Sequence, residues 1–219
     1  MSPKSIVPKG SRVYRSQLRQ QQAEATRSRV VATAATLFAA DGYARTTLAK
    51  IAAEAGVSAE TVQGQGPKAA LLIAAIEYAA FGVTGEEDVF NLDVGRELLA
   101  IGDREQALDF LIEAQANVHH RVAQLARALH GGATADPELD RYLNDLIASI
   151  NRQTRRVLDS VRAHGWLRDD VSFDELVETT AVVFSAETYL RIIHRDGWSM
   201  EAYRAWCRRM IAETVLVSS

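Results

Sequence analysis

Residues 46–58, TTLAKIAAEAGVS, constrain the fold more than any other stretch of this chain. Thr46 or Thr47 can cap a helix that buries Leu48, Ile51 and Ala52 and stops at Gly56. Ser58 can cap a second short helix, about Ala59 to Gln63. Alanines at 49, 52, 53 and 55 let the two helices approach closely, and Gly56 supplies the positive φ of a sharp turn. Two short helices joined by a glycine-containing turn describe a helix-turn-helix. So small a unit buries little by itself, so the helix before it, Phe38 especially, and the helix after it must complete the core.

The rest of the chain also reads as helix. Apolar residues recur at spacings of 3 and 4, and alternating β-branched runs are nearly absent. The spacing predicts a first helix over about 22–40, with Val30, Ala34, Leu37 and Phe38 as its stripe and Asp41-Gly42 as its stop. Pro67 suits the first turn of a fourth helix running to about Ala80. Residues 82–102 read as a loop with at most one helical turn, and 103–129 as a long helical stretch broken once. Gly131-Gly132 and Pro137 mark the next turn. A helix with Leu139, Leu143, Leu146, Ile147, Ile150, Val157 and Leu158 on one face follows, ending at His164-Gly165-Trp166. Helices of about 173–195 and 199–217 close the chain. The expected class is all-α: residues 1–21 a flexible basic arm, 22–66 a three-helix domain carrying the helix-turn-helix, and 67–219 a helical bundle.

Charge divides the chain. Residues 1–68 hold ten basic and four acidic side chains, a net of +6, and the other 151 residues hold 15 basic and 24 acidic, a net of -9. A basic end on an acidic body suits a module that meets a polyanion. One cysteine, Cys207, excludes an internal disulfide framework and a thiolate zinc site, and fits a reducing cytoplasm. No apolar run reaches the roughly 18 residues of a membrane helix, and the basic N-terminus lacks the apolar core of a secretory signal. The expected location is therefore cytoplasmic, with no membrane partner.

Catalytic patterns are missing. Gly64-Gln65-Gly66-Pro67-Lys68 is not a phosphate loop, because no strand precedes it, the spacing is wrong and Ala69 stands where Ser or Thr is required. None of the five histidines has Glu three residues before it, and the adjacent His119 and His120 point about 100° apart on a helix. No cofactor, metal or enzymatic activity is expected.

The run from Arg29 to Leu72 resembles the DNA-binding domain of the TetR family of bacterial regulators, through Ala34, Leu37, Phe38, Gly42, Tyr43, Thr46, Thr47, Ile51, Ala52, Ala55, Gly56, Val57, Ser58, Thr61, Lys68 and Leu71. The resemblance implies a homodimer, a helix-turn-helix in each protomer, and a helical effector-binding body whose last two helices form the dimer bundle. It also implies phosphate contacts from Thr46, Thr47 and Lys68. Residues 63–68, QGQGPK, depart from the family pattern: the usual Tyr is Gln63 and the usual Phe is Gly66.

Ser58, Ala59, Glu60, Thr61, Gln63, Gly64 and Gln65 lie on or just beyond the recognition helix. Gln63 can bind adenine bidentately, and Glu60 can accept from cytosine. Ser58 could instead be only a cap, and Thr61 could only pack inward. Arg12, Arg15 and Arg19 could enter a minor groove, lie along phosphates, or remain a solvated tail.

In the body, Gln115 and His119 interrupt an apolar helix face, and Glu187 follows another. Such groups suit a ligand cavity, or each is a satisfied core polar group, Glu187 pairing with Arg191. Residues 181–186 are apolar nearly all round. With Tyr203, Trp206, Cys207, Met210 and Ile211 they suggest a face covered by a second copy, with Val183, Phe184, Tyr203, Trp206 and Met210 as interface residues. Two functions remain. One is a dimeric sequence-specific regulator, a repressor released from operator DNA by a small-molecule effector. The other is a helical small-molecule-binding protein or enzyme with an incidental helix-turn-helix.

Overall fold

The computed structural model of the chain describes residues 9–81, 97–98 and 100–217. Among these the elements run α1 (Lys9–Arg45), α2 (Leu48–Ala55), α3 (Ala59–Gln63), α4 (Lys68–Phe81), α5 (Arg104–Ala133), α6 (Pro137–Ala163), α7 (Phe173–Val183), α8 (Ala186–Tyr189, continued by a π-helical turn over Leu190–Arg195) and α9 (Met200–Thr214). The described residues form no sheet, only an isolated bridge between Leu167 and Leu216. The fold is all-α, with a helix-turn-helix domain at the N-terminus and a helical bundle after it.

Helix α1 corrects the expectation of an irregular arm up to residue 21. It is helical from Lys9, because no proline lies between Pro8 and Pro67 and the stretch Leu18–Ala25 is built of good helix formers. Its regular part ends where the sequence places the stop. Gly42 takes φ 76° and ψ 175°, which breaks the helical path before Tyr43–Arg45 resume it.

Helix α5 is a second correction. It is unbroken for 30 residues and contains Gly131 and Gly132, which the sequence assigns to a turn. The reason is packing. A Cβ on Gly132 would lie 2.6 Å from Leu139 Cδ1 and 2.8 Å from Tyr43 Cδ1, so the missing side chain is what lets α5 meet α6 and Tyr43. The turn falls after Ala133 instead, and Asp136 caps α6 by accepting from the Glu138 N–H. Most of the loop expected over 82–102 lies outside the described residues.

Two cores result. The first gathers Phe38, Ile51, Val62, Leu72, Leu129 and Leu139, and so draws on α1–α6. The second gathers Leu108, Leu158, Leu176, Tyr189, Tyr203 and Ile211. Helix α5 runs through both. Helix α6 also joins them, which explains why Ile147 and Ile150 do not pack inward with Leu139 and Leu158 as the face pattern suggests. They lie on the stretch between the cores and are exposed.

Candidate nucleic-acid interface and body cavity

The helix-turn-helix is held by its own caps. Thr47 accepts from the Lys50 N–H at 3.1 Å, and Ser58 accepts from the Thr61 N–H at 3.1 Å. Gly56 takes φ 63°, and the next amide, Val57, returns to the Ala52 carbonyl at 3.1 Å. Val62 is fully buried and anchors α3. That phasing turns Ala59, Glu60, Gln63 and Gly64 outward. Gln63 and Glu60 carry no partner among the described residues. Ser58 is exposed, and its hydroxyl lies 2.9 Å from that of the half-buried Thr61, so Ser58 is a cap and Thr61 faces partly inward.

Other expected contact residues are placed differently. Thr46 is fully buried, and its hydroxyl donates to the Gly42 carbonyl at 2.9 Å and lies 3.3 Å from that of Leu37. The hydroxyl pins the turn after α1 and is not presented to a duplex, which removes Thr46 from the surface phosphate set. Thr47 is exposed. Lys68 lies over the Tyr43 ring at 3.9 Å and donates to the Tyr43 carbonyl at 3.1 Å. Gln65 is half-buried and accepts from the Arg27 guanidinium at 3.4 Å.

Arg12, Arg15 and Arg19 sit at helical spacing on α1.

Tyr43 packs against the first core and ties the end of α1 to α5 and α6. Its hydroxyl donates to Asp136, and Arg127 of α5 points at the Ala39 carbonyl at 3.5 Å. Neither Arg27 nor Asp136 stands out in the sequence. Their partners lie 38 and 93 residues away, and no local pattern marks such pairs.

Gln115, His119 and Glu187 are not among the residues that line the apolar cavity between α5, α6 and α9. Gln115 donates to the Phe184 carbonyl at 3.5 Å and to His119 Nε2 at 2.9 Å, and His119 Nδ1 lies 3.3 Å from the Tyr203 hydroxyl. His119 is buried, and that burial pulls its imidazole down to about 4, so it is neutral near pH 7. Glu187 stands apart, exposed, with its carboxylate 2.7 Å from His130 Nε2 and not on Arg191. These are satisfied polar groups. That cavity, of about 50 Å³, lies between the first turns of α5, the end of α6 and the end of α9. Leu108, Leu111, Val161, Trp166, Ile211 and Leu216 line it, with Arg104, Ser160, His164 and Thr180 as its polar members.

Of the expected dimer residues, Val183 and Tyr203 are buried in the chain's own second core, because α7 packs inward through Leu176, Val177, Thr180 and Val183. Phe184, Trp206 and Met210 are half-buried against that core. The neighbouring Val182 is 55% exposed. Among the described residues, no group of three or more His, Cys, Asp or Glu side chains could hold a metal. Among them, too, no helix is long and apolar enough to cross a membrane.

Residues 30–63, the end of α1 through α3, match the family described as bacterial regulatory proteins, tetR family. The N-terminal domain belongs to the TetR family. The chain is accordingly a DNA-binding transcriptional regulator, with its TetR domain mounted on a helical body. Solved structures share that whole layout. A transcriptional regulator from Saccharomonospora viridis in complex with choline is 20% identical, with a TM-score of 0.68 over 89% of this chain and 100% of its own. A TetR-family regulator from Mesorhizobium loti is 15% identical, with a TM-score of 0.68 over 89% and 98%. SmeT of Stenotrophomonas maltophilia, in complex with triclosan, is 17% identical, with a TM-score of 0.65 over 89% and 93%. No curated protein matches the chain in sequence.

Proposed function

We propose that this regulator is a homodimeric repressor that occupies operator DNA through the exposed face of α3 and is released by a small molecule bound in the body. The observation that carries the reading is the path of α5. Its first turns line the apolar cavity and its last turns pack into the first core with α1, so one stiff helix of about 45 Å connects the two. A ligand that wedges the cavity open tilts the rod that the DNA-binding domain rests on. It lowers operator affinity by its differential affinity for the two arrangements.

On this reading Gln63 and Glu60 face base edges, with Ala59 and Gly64 allowing close approach, while Ser58 and Thr61 fix the start of α3. Thr47, Lys68 and the Arg12, Arg15 and Arg19 face of α1 meet phosphates. Val182, with the exposed parts of Trp206 and Met210, belongs to the dimer face; Val183 and Tyr203 do not. The choline and triclosan complexes of the two structural relatives support a body of this fold that accepts small molecules, and SmeT is itself described as a repressor of a multidrug efflux pump.

The test combines sedimentation at micromolar concentration with titration of a selected duplex and of random DNA at several salt concentrations. A dimer, a steep salt dependence and a preference for the selected duplex are expected. A stable monomer, or equal affinity for both DNAs, overturns the reading.

A further inference from the structure

We infer that Arg27 is a positioning residue that fixes which way the Gln65 side-chain amide faces, making Gln65 a donor-only reader of the operator next to a Gln63 that remains free to donate and accept. This rests on the proposed DNA-reading role of the α3 edge.

The chemistry is settled by what arginine lacks. A guanidinium carries five N–H donors and no acceptor, so whichever amide atom meets it must be oxygen. Arg27 Nη1 lies 3.4 Å from Gln65 Oε1. Both residues are half-buried, and Gln65 is held at the end of the recognition helix by its own N–H, which donates to the Val62 carbonyl at 3.0 Å. The NH2 group is then the part of Gln65 left for an outside partner. Two donors match guanine O6 and N7 or thymine O4. They cannot serve adenine bidentately, because that pairing needs the amide oxygen to accept from N6 while the NH2 donates to N7. Gln63, two residues earlier, is exposed with neither amide atom engaged among the described residues. Two glutamines at one edge thus have different alphabets, and α1 supplies the difference.

The experiment is selection from a random duplex library with the full-length protein and with Gln65→Lys, Gln65→Glu and Arg27→Ala, each confirmed folded by its melting curve. Lysine is donor-only, so Gln65→Lys keeps the base chosen at the Gln65 position. Gln65→Glu pairs with Arg27 but offers only acceptors, so it shifts that position towards cytosine and weakens the original site about threefold to tenfold per half-site. Arg27→Ala frees the amide to turn over and admits adenine there, with the other positions unchanged. The inference is overturned if Gln65→Lys changes the chosen base or if Arg27→Ala leaves that position unchanged. A uniform loss across all sequences for Gln65→Glu also overturns it, because that outcome makes Gln65 a phosphate contact. Failure of the unaltered protein to enrich any sequence is the distinct result that removes the DNA-reading role itself.

Discussion

The hydroxyl of Tyr43, two residues past the regular part of α1, donates to the carboxylate of Asp136, the N-cap of α6. The bond crosses from the DNA-binding domain to the body, and both partners are altered by it. Burial first, then the bond to Asp136, raises the Tyr43 hydroxyl above its ordinary range, while that same bond holds the Asp136 carboxyl below its own. With Lys68 on one face of the ring and Gly132 against its edge, Tyr43 is a shared fitting between α1, α4, α5 and α6.

Tyr43→Phe keeps the ring and removes the bond. It is expected to cost about 1.5–3 kcal/mol of stability, the range for a hydrogen bond to a charged group. Asp136→Ala loses the α6 cap as well, about 1 kcal/mol more. Urea titrations of the two single variants and the double variant check this. Strict additivity means the two groups do not interact.

The two adjacent glycines of α5 are expected to respond in opposite ways to alanine. At Gly132 the new Cβ meets Leu139 and Tyr43 at under 3 Å, and overpacking costs about 1–3 kcal/mol. At Gly131 nothing lies within 4 Å, and the better helix former stabilises by up to about 1 kcal/mol. Thermal denaturation of both variants decides the matter, and equal shifts contradict the packing argument.

His130 and Glu187 give a pH signature. His130 Nδ1 lies 2.7 Å from the Ala126 carbonyl and its Nε2 2.7 Å from Glu187, so both nitrogens face acceptors and the imidazolium is favoured. The bond to Glu187 raises the His130 pKa, and the same bond pulls the Glu187 carboxyl down to about 2. A raised histidine stabilises fully below its ordinary 6.5 and less as pH climbs through its folded value. A depressed carboxylate stabilises above its ordinary 4.5 and is lost as pH falls towards 2. The pair is therefore strongest between about pH 4.5 and 6.5. Double-variant cycles with His130→Gln and Glu187→Gln are expected to show larger coupling at about pH 5.5 than at about pH 8.5.

Cys207 is fully buried, and burial pushes its thiol up to about 11. A thiol-specific reagent is expected to label the folded protein only as fast as it opens, and labelling becomes rapid in denaturant. Immediate stoichiometric labelling of the native chain contradicts this placement.

Gln63→Ala is expected to cost about 1–3 kcal/mol on the preferred operator and to relax one base pair per half-site. Lys68→Ala weakens all sequences alike and flattens the salt dependence by roughly one unit of slope for each phosphate left without its cation. Titrations against operator and random DNA at several salt concentrations separate the two, and an equal loss for Gln63→Ala on both DNAs makes it a backbone contact.

What was legible in the sequence is what short-range chemistry decides. Thr47, Gly56 and Ser58 mark the boundaries of α2 and α3 because caps and a positive φ act within four residues. The stripe of Val30, Ala34 and Phe38 shows which face of α1 is buried because helical periodicity is local. Tertiary structure decided the rest. Nothing near Lys68 in the chain says that it will settle on Tyr43, 25 residues earlier. Gln115 and His119 read as pocket-lining by pattern, but whether a polar group on an apolar face meets space or a partner depends on Phe184 and Tyr203, which arrive 69 and 84 residues later. Val182 and Val183 are equivalent in sequence, and only the phase in which α7 docks on the second core buries one and exposes the other. Caps, turns and stripes follow from neighbours along the chain; cavities, latches and interfaces depend on which distant surfaces meet, because packing is a property of the whole fold.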